Sequence, residues 1–298
     1  MSRSISKDTS FAPRRFASAG GVFVGFAVAA ALAPAALAES NNAIPRLASA
    51  DFGWQSNVAD WQEPPPGHGH GPIKDDPAHP FTSNVVAART GTQPTKRLGN
   101  AKDPVLKPWA AAQMQASNEE ALGSEMLIPF ADQARCYPGG VPGQLLFPFE
   151  PVYFIQTPTE VLMMWQRDQW VRRITLTDQH SEHVTPSWFG ESIGRYENGA
   201  LVVDTIGLST KNSYVDNFRT PHTEKLHVVE RFTIDPEGKN LTAIVTVDDP
   251  GTFNAPLTMQ QRWFKVNTRM GESICAENNQ DYFRQNLFPL PQADKPDF

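Results

Sequence analysis

Between residues 152 and 266 the chain is cut into short runs rich in Val, Ile, Thr, Phe, Tyr and Trp, each closed by turn-forming residues. The runs are 152–156, 161–166, 170–176, 189–196, 200–207, 226–234, 241–248 and 257–266. None is long enough to be more than one strand. Several links are tight reversals: Thr157-Pro158-Thr159, the Asn-Gly hairpin signal in Glu197-Asn198-Gly199, and Asp235-Pro236-Glu237-Gly238-Lys239.

Strands in neighbour order predict a mainly β fold built as an antiparallel meander. A meander that long closes into a β-barrel, lipocalin-like, or curls as a sheet over a pocket. A β-sandwich uses the same strands and is the alternative.

Ahead of the strands, 39–106 is rich in Pro, Gly, Asn and Asp, with EPPPGHGHGPIKDDPAHP (63–80) the extreme case. Such a segment buries little by itself, so it reads as an extended arm that docks at Trp54, Trp61 and Phe81. One helix is expected over 108–122, with Pro108 in its first turn and Gly123 as a left-handed stop. The β domain with this helix at its start spans 107–298.

At the front, Arg14 and Arg15 precede the apolar run 21–33 and the small-residue site Ala36-Leu37-Ala38 before Glu39. That grammar is a secretory signal peptide over 1–38 and implies an exported, periplasmic or secreted protein. Formal net charge is −6, and the leader is itself basic, so the mature chain is more acidic still. An acidic chain is poorly suited to the phosphate backbone of a nucleic acid. With no other apolar run of about 18 residues, no integral membrane segment is expected after the leader. In an oxidising compartment the two cysteines, Cys136 and Cys275, most simply form one disulfide.

The chain is read as carrying no nucleophile elbow, and no P-loop, dinucleotide fingerprint or H-E-x-x-H is found. No cofactor is therefore expected, and attention falls on acid–base groups. Along 226–234 the even positions are Leu226, Val228, Glu230, Phe232 and Ile234, which puts Glu230 on the apolar face. A carboxylate there is paired, protonated or functional. It is either a general acid or base, or the partner of an arginine across the sheet such as Arg195 or Arg262.

Asp204, in a strand apolar on both faces, is a second catalytic candidate or a carboxylate bonding a neighbouring loop. His222, on the connection into the Glu230 strand, is a proton shuttle or a surface hydrogen-bonding group. The aromatics Trp165, Trp188 and Trp263, with Tyr196 and Arg231, are the candidate ligand-binding residues. His68, His70 and His79 form a weak alternative metal cluster on a glycine-rich arm, and no metal site is expected.

Several stretches together resemble a family of exported bacterial proteins: GPIKDDPAHPF (71–81), ARCYPGGVPG (134–143), PVYFIQTPTEVLMMW (151–165), PSWFGESIGRYENGALVVDTIGL (186–208), RTPHTEKLHVVERF (219–232) and VTVDDPGTFNAP (245–256). Family members often carry Trp and Glu-Gly-Asp where this chain has Tyr196 and then Glu197-Asn198-Gly199-Ala200. The resemblance implies export and a shared fold, transfers no reaction, and directs attention to Trp188, Gly190, Asp204, His222, Glu230 and Arg231. Two functions follow as expectations: an exported pocket protein for a small apolar or aromatic molecule, or a cofactor-independent acid–base enzyme on the same scaffold.

Overall fold

Side chains alternate across a strand, and in this chain one face of most long strands is mainly apolar, so those faces are buried by closing on one another. The computed structural model describes residues 44–123, 136–147, 150–211 and 213–275; the leader expected over 1–38 lies outside them. Nine strands close a barrel in chain order: β1 (Gly53–Gln55), β2 (Val152–Gln156), β3 (Glu160–Trp165), β4 (Val171–Leu176), β5 (Glu191–Glu197), β6 (Ala200–Ile206), β7 (His227–Ile234), β8 (Asn240–Asp248) and β9 (Leu257–Val266). A barrel, not a sandwich, is formed.

The register fixes which residues face inward. On β7, Val228, Glu230 and Phe232 are inside; their partners on β6 are Thr205, Val203 and Leu201, and on β8 Val247, Val245 and Ala243. Asp204 and Arg231 alternate to the outer face of the same strands. At the β5–β6 hairpin, Asn198 and Gly199 take φ values of 50° and 73°. Two consecutive left-handed residues make the turn whose twist suits a hairpin.

Two features depart from the expected meander. The β4–β5 pair is parallel, with Ile174 opposite Ser192 and Leu176 opposite Gly194. Its connection must therefore run back along the wall rather than reverse tightly. The other departure is β1, which comes from the proline-rich arm and closes the barrel between β2 and β9.

The arm is thus part of the barrel and not a separate segment. Beyond β1 it continues beside β9, where Gln62 and Gln260 exchange backbone hydrogen bonds of 2.9 and 3.0 Å and Thr258 N–H donates to the His70 carbonyl. Trp54 and Trp61 are buried at the docking points, and the Trp61 indole donates to the Val215 carbonyl at 2.9 Å.

Of the two α-helices among the described residues, α1 (Asn84–Thr90) departs from the sequence expectation, because its β-branched content disguises it. Its signals are the Ser83 hydroxyl, which accepts from Val86 N–H, and Gly91 in the left-handed region at its end. α2 (Pro108–Gly123) matches the expected helix and buries Ala110, Met114, Ser117, Asn118 and Ala121. No helix among the described residues is long and apolar enough to cross a membrane. Cys136 and Cys275 are joined in a disulfide, with Cα atoms 5.6 Å apart.

Candidate functional site

Glu230 is where alternation places it, sealed inside the barrel, but its partner is neither Arg195 nor Arg262. Arg195 lies on the outer face and pairs with Glu197, while Arg262 is exposed. The partner is Arg172 of β4, whose Nη1 donates to Glu230 Oε1 at 2.8 Å and whose Nη2 donates to Oε2. Arg172 Nε also donates to Ser192 Oγ at 3.0 Å, and Nη2 to Thr205 Oγ1 at 2.7 Å. A bidentate ion pair with its remaining donors satisfied is the arrangement that tolerates burial.

Residues 190–194, Gly-Glu-Ser-Ile-Gly, do match the G-x-S-x-G pattern, contrary to the expectation that the motif is absent. In the structure Ser192 is a buried interior residue of β5, bonded to Arg172 and Thr205, with no strand-to-helix elbow. It is a structural hydroxyl. Gly190, at φ 58°, is needed because a Cβ there would stand 2.3 Å from the Ile206 carbonyl oxygen.

Asp204 is one residue away from the Glu230 pairing partner Val203, which puts it on the opposite side of the barrel wall. Its Oδ1 meets His227 Nε2 at 2.8 Å and His180 Nε2 at 3.0 Å. Burial pushes the Asp204 carboxyl up, but the hydrogen bonds from the two histidines outweigh it and hold the group below its ordinary value. His180 Nδ1 in turn lies 2.9 Å from Glu191 Oε1. The result is an outer-wall chain Glu191–His180–Asp204–His227. Asp204 does bond a neighbouring loop, as one reading of its strand expected; His180 had no sequence signal because it sits in an aperiodic connection.

His222 is buried among loop residues rather than at an open mouth. Its Nδ1 faces the Thr223 carbonyl at 3.0 Å, and its Nε2 faces Ser213 Oγ at 3.2 Å. Burial pushes its pKa down. Glu230 inside the wall, Asp204 outside it and His222 in a loop do not converge on common space. The expected acid–base trio is not assembled.

The predicted aromatics also separate. Trp165 is core, stacked on Phe189 at 5.9 Å, and Trp263 is core beside Phe232. Trp188 stacks on Tyr137 at 6.1 Å, and Arg231 donates to the Glu197 carbonyl at 3.1 Å. On the arm, His70 pairs with Asp103 at 3.3 Å and His79 with Asp76 at 2.8 Å, so the three histidines do not form one cluster. Among the described residues no group of three or more His, Cys, Asp or Glu is placed to hold a metal ion.

Tyr196 does line a cavity. At one mouth of the barrel a space of about 770 Å³ opens between the β2–β3 turn (Gln156, Thr157, Pro158), the end of β4 (Leu176 to Asp178) and β5 (Gly194 to Tyr196), with Ile44, Pro45 and Arg46 of the arm alongside. The arm is fixed there by one side chain. Gln156 Oε1 accepts from Leu47 N–H at 2.9 Å and Ala48 N–H at 3.1 Å, while its Nε2 donates to the Pro45 carbonyl at 3.1 Å and the Tyr196 hydroxyl at 2.9 Å. The lining mixes the apolar residues Ile44, Pro45, Pro158 and Leu176 with Tyr196, Arg46 and Arg195, the last of which is paired with Glu197.

No protein-family model, curated protein or solved structure matches the chain in the comparisons. Fold and site together define the class: a closed, lipocalin-like β-barrel with a plugged interior and a ligand-sized cavity at one mouth.

Proposed function

We propose that the protein is an exported pocket protein that binds a small, largely apolar or aromatic molecule at the barrel mouth. The observation that carries this reading is the cavity of about 770 Å³ bounded by Tyr196, Leu176 and the arm, a size in the range of small-molecule sites. Apolar lining residues supply affinity, and Arg46 at the cavity suits a ligand with an acidic end. Export is supported by the leader pattern at 1–38 and by the disulfide, which belongs to an oxidising compartment.

The test uses the anionic aromatic probe anilinonaphthalene sulfonate, titrated into the folded chain. Saturable one-to-one binding is expected. Two variants of exposed cavity residues, Ile44→Glu and Thr177→Trp, should weaken it about tenfold, equal to about 1.4 kcal/mol. The first places a carboxylate in the apolar wall, and the second fills the space. Binding that neither variant changes, or no saturable binding, would overturn the reading.

A further inference from the structure

The connection 177–190 exists because β4 and β5 are parallel, and the chain must travel back along the outer wall to re-enter the sheet in the same direction. Its far part is held by backbone: Ser187 N–H donates to the Gly207 carbonyl at 3.1 Å, and Ser209 N–H donates to the Ser187 carbonyl at 2.9 Å. The near part, 178–183, is exposed apart from His180. Among the described residues its hydrogen bonds to the barrel wall run from His180 and Ser181 alone, and their acceptors are Glu191 and Asp204.

The chemistry of those bonds sets a protonation requirement. A neutral imidazole carries one ring proton, whereas the imidazolium carries two. His180 Nδ1 faces Glu191 Oε1 at 2.9 Å, and its Nε2 faces Asp204 Oδ1 at 3.0 Å. An ionised carboxylate accepts and never donates. The neutral ring therefore makes one bond and turns a lone pair on the other carboxylate; the cation makes both.

Both carboxylates are held ionised. Glu191 is kept low by the Ser181 hydroxyl and backbone N–H, with burial opposing and His180 assisting. Asp204 is pushed up by burial but pulled further down by its two histidines. The other titratable groups around His180 are His227 of β7, on the same Asp204 oxygen, and Asp248 of β8, opposite His227 in the register; Asp178, Glu182 and His183 lie on the connection itself.

We propose that 178–183 is an acid-latched strap: His180 as imidazolium, bridging Glu191 of β5 and Asp204 of β6, clamps it on the barrel wall together with Ser181, and loss of one ring proton gives up one of the two imidazole bonds and loosens it. The latch stands on this geometry alone. Its consequence for a ligand rests on the cavity reading: Thr177 and Asp178, at the start of the strap, line the mouth cavity, so a loosened strap slackens one wall of that cavity.

The experiment is amide hydrogen exchange of the full chain at pH 5.5 and 8.5, each corrected for the intrinsic rate. The Ser181 amide, whose N–H donates to Glu191 Oε1 at 2.7 Å, should exchange at least tenfold faster at pH 8.5, while the amides of β7 and β8 keep their protection. In His180→Gln the strap should exchange alike at both pH values, and in His183→Gln it should retain the wild-type dependence. A wild-type strap insensitive to pH, or a dependence that survives in His180→Gln, overturns the proposal. So does protection that follows added zinc instead of pH. Should His180→Gln fold poorly, ¹⁵N shifts of the wild-type ring decide: both nitrogens protonated at pH 5.5 is the expected result, and a neutral tautomer under a protected strap refutes it. No step requires a ligand, so failure of probe binding would remove the cavity reading and leave the latch intact.

Discussion

Arg172 and Glu230 meet head-on inside the barrel, their side chains 1% and 0% exposed, in an interior otherwise dominated by hydrocarbon. Three separate strands bring Ser192, Thr205 and Glu230 to the single guanidinium of a fourth. Every nitrogen of that group has an acceptor, which is what lets a charge sit where a chain of alternating valines and leucines would otherwise continue.

Removing one partner leaves the other charge buried and unmatched. Glu230→Gln, which preserves shape, should therefore destabilise the fold by about 3–5 kcal/mol. Replacing both partners by hydrocarbon, as in Arg172→Met with Glu230→Leu, should recover most of that loss. Guanidinium unfolding of wild type, Arg172→Met, Glu230→Leu and the double variant closes the cycle, with Glu230→Gln measured alongside. A Glu230→Gln protein as stable as wild type would contradict the ion-pair role.

The pairing also shows how far alternation reads. Even positions of 170–176 are Trp170, Arg172, Ile174 and Leu176, so period two already turns Arg172 inward, in phase with Ile174. Which arginine meets Glu230 depends on how the sheet closes, and strand order along the chain does not specify that. Direction was equally hidden: 177–190 is long because β4 and β5 run parallel, yet neighbour order alone favours a hairpin. β1 is three residues long, too short for any periodicity to show. His180 lies in an aperiodic connection, and only the folded wall brings Glu191 and Asp204 to its two nitrogens.

His222 makes a prediction about acid. Burial pushes its pKa below the ordinary value, while the Thr223 carbonyl and the Asp249 charge pull the other way and lose. As pH falls from about 6.5, the unfolded chain takes up a proton that the fold resists. Stability from this group is thus full above the unfolded pKa and is lost as pH falls toward the folded one. In His222→Asn the extra acid slope, up to about 1.4 kcal/mol per pH unit, should be absent. Urea midpoints from pH 7.5 to 5.0 measure the difference, and parallel wild-type and variant curves would count against it.

The disulfide joins residues 139 apart in sequence and closes a large loop around most of the barrel. In the chain-entropy picture such a cross-link disfavours the unfolded ensemble by about 4–5 kcal/mol as an upper figure. Cys136→Ser with Cys275→Ser should lower the unfolding free energy by up to that amount while leaving far-ultraviolet circular dichroism unchanged, because the disulfide is no part of the strand pairing: β2 to β9 lie between the two cysteines and β1 before them. Equal stability of oxidised and double-serine protein would refute this.

Gln156 is the residue through which the arm is pinned over the cavity. Its amide makes four contacts, to Leu47 N–H, Ala48 N–H, the Pro45 carbonyl and the Tyr196 hydroxyl, and no apolar side chain can replace a donor and acceptor at once. Gln156→Leu should leave the part-buried Ala48 N–H unmatched, a local cost of about 1–3 kcal/mol, while Leu47 N–H keeps its 3.0 Å bond to the Pro45 carbonyl. The loss should be confined to the arm, since Trp54 still donates to the Leu47 carbonyl at 2.9 Å and β1 still pairs with β9. Hydrogen exchange should therefore quicken at Ala48 by tenfold or more and less at Leu47, with β7 and β8 unaltered. Probe binding should weaken alongside, because Ile44, Pro45 and Arg46 form one side of the cavity. If the Ala48 amide stays protected in Gln156→Leu, another part of the arm carries the roof, and Gln156 merely lies beneath it.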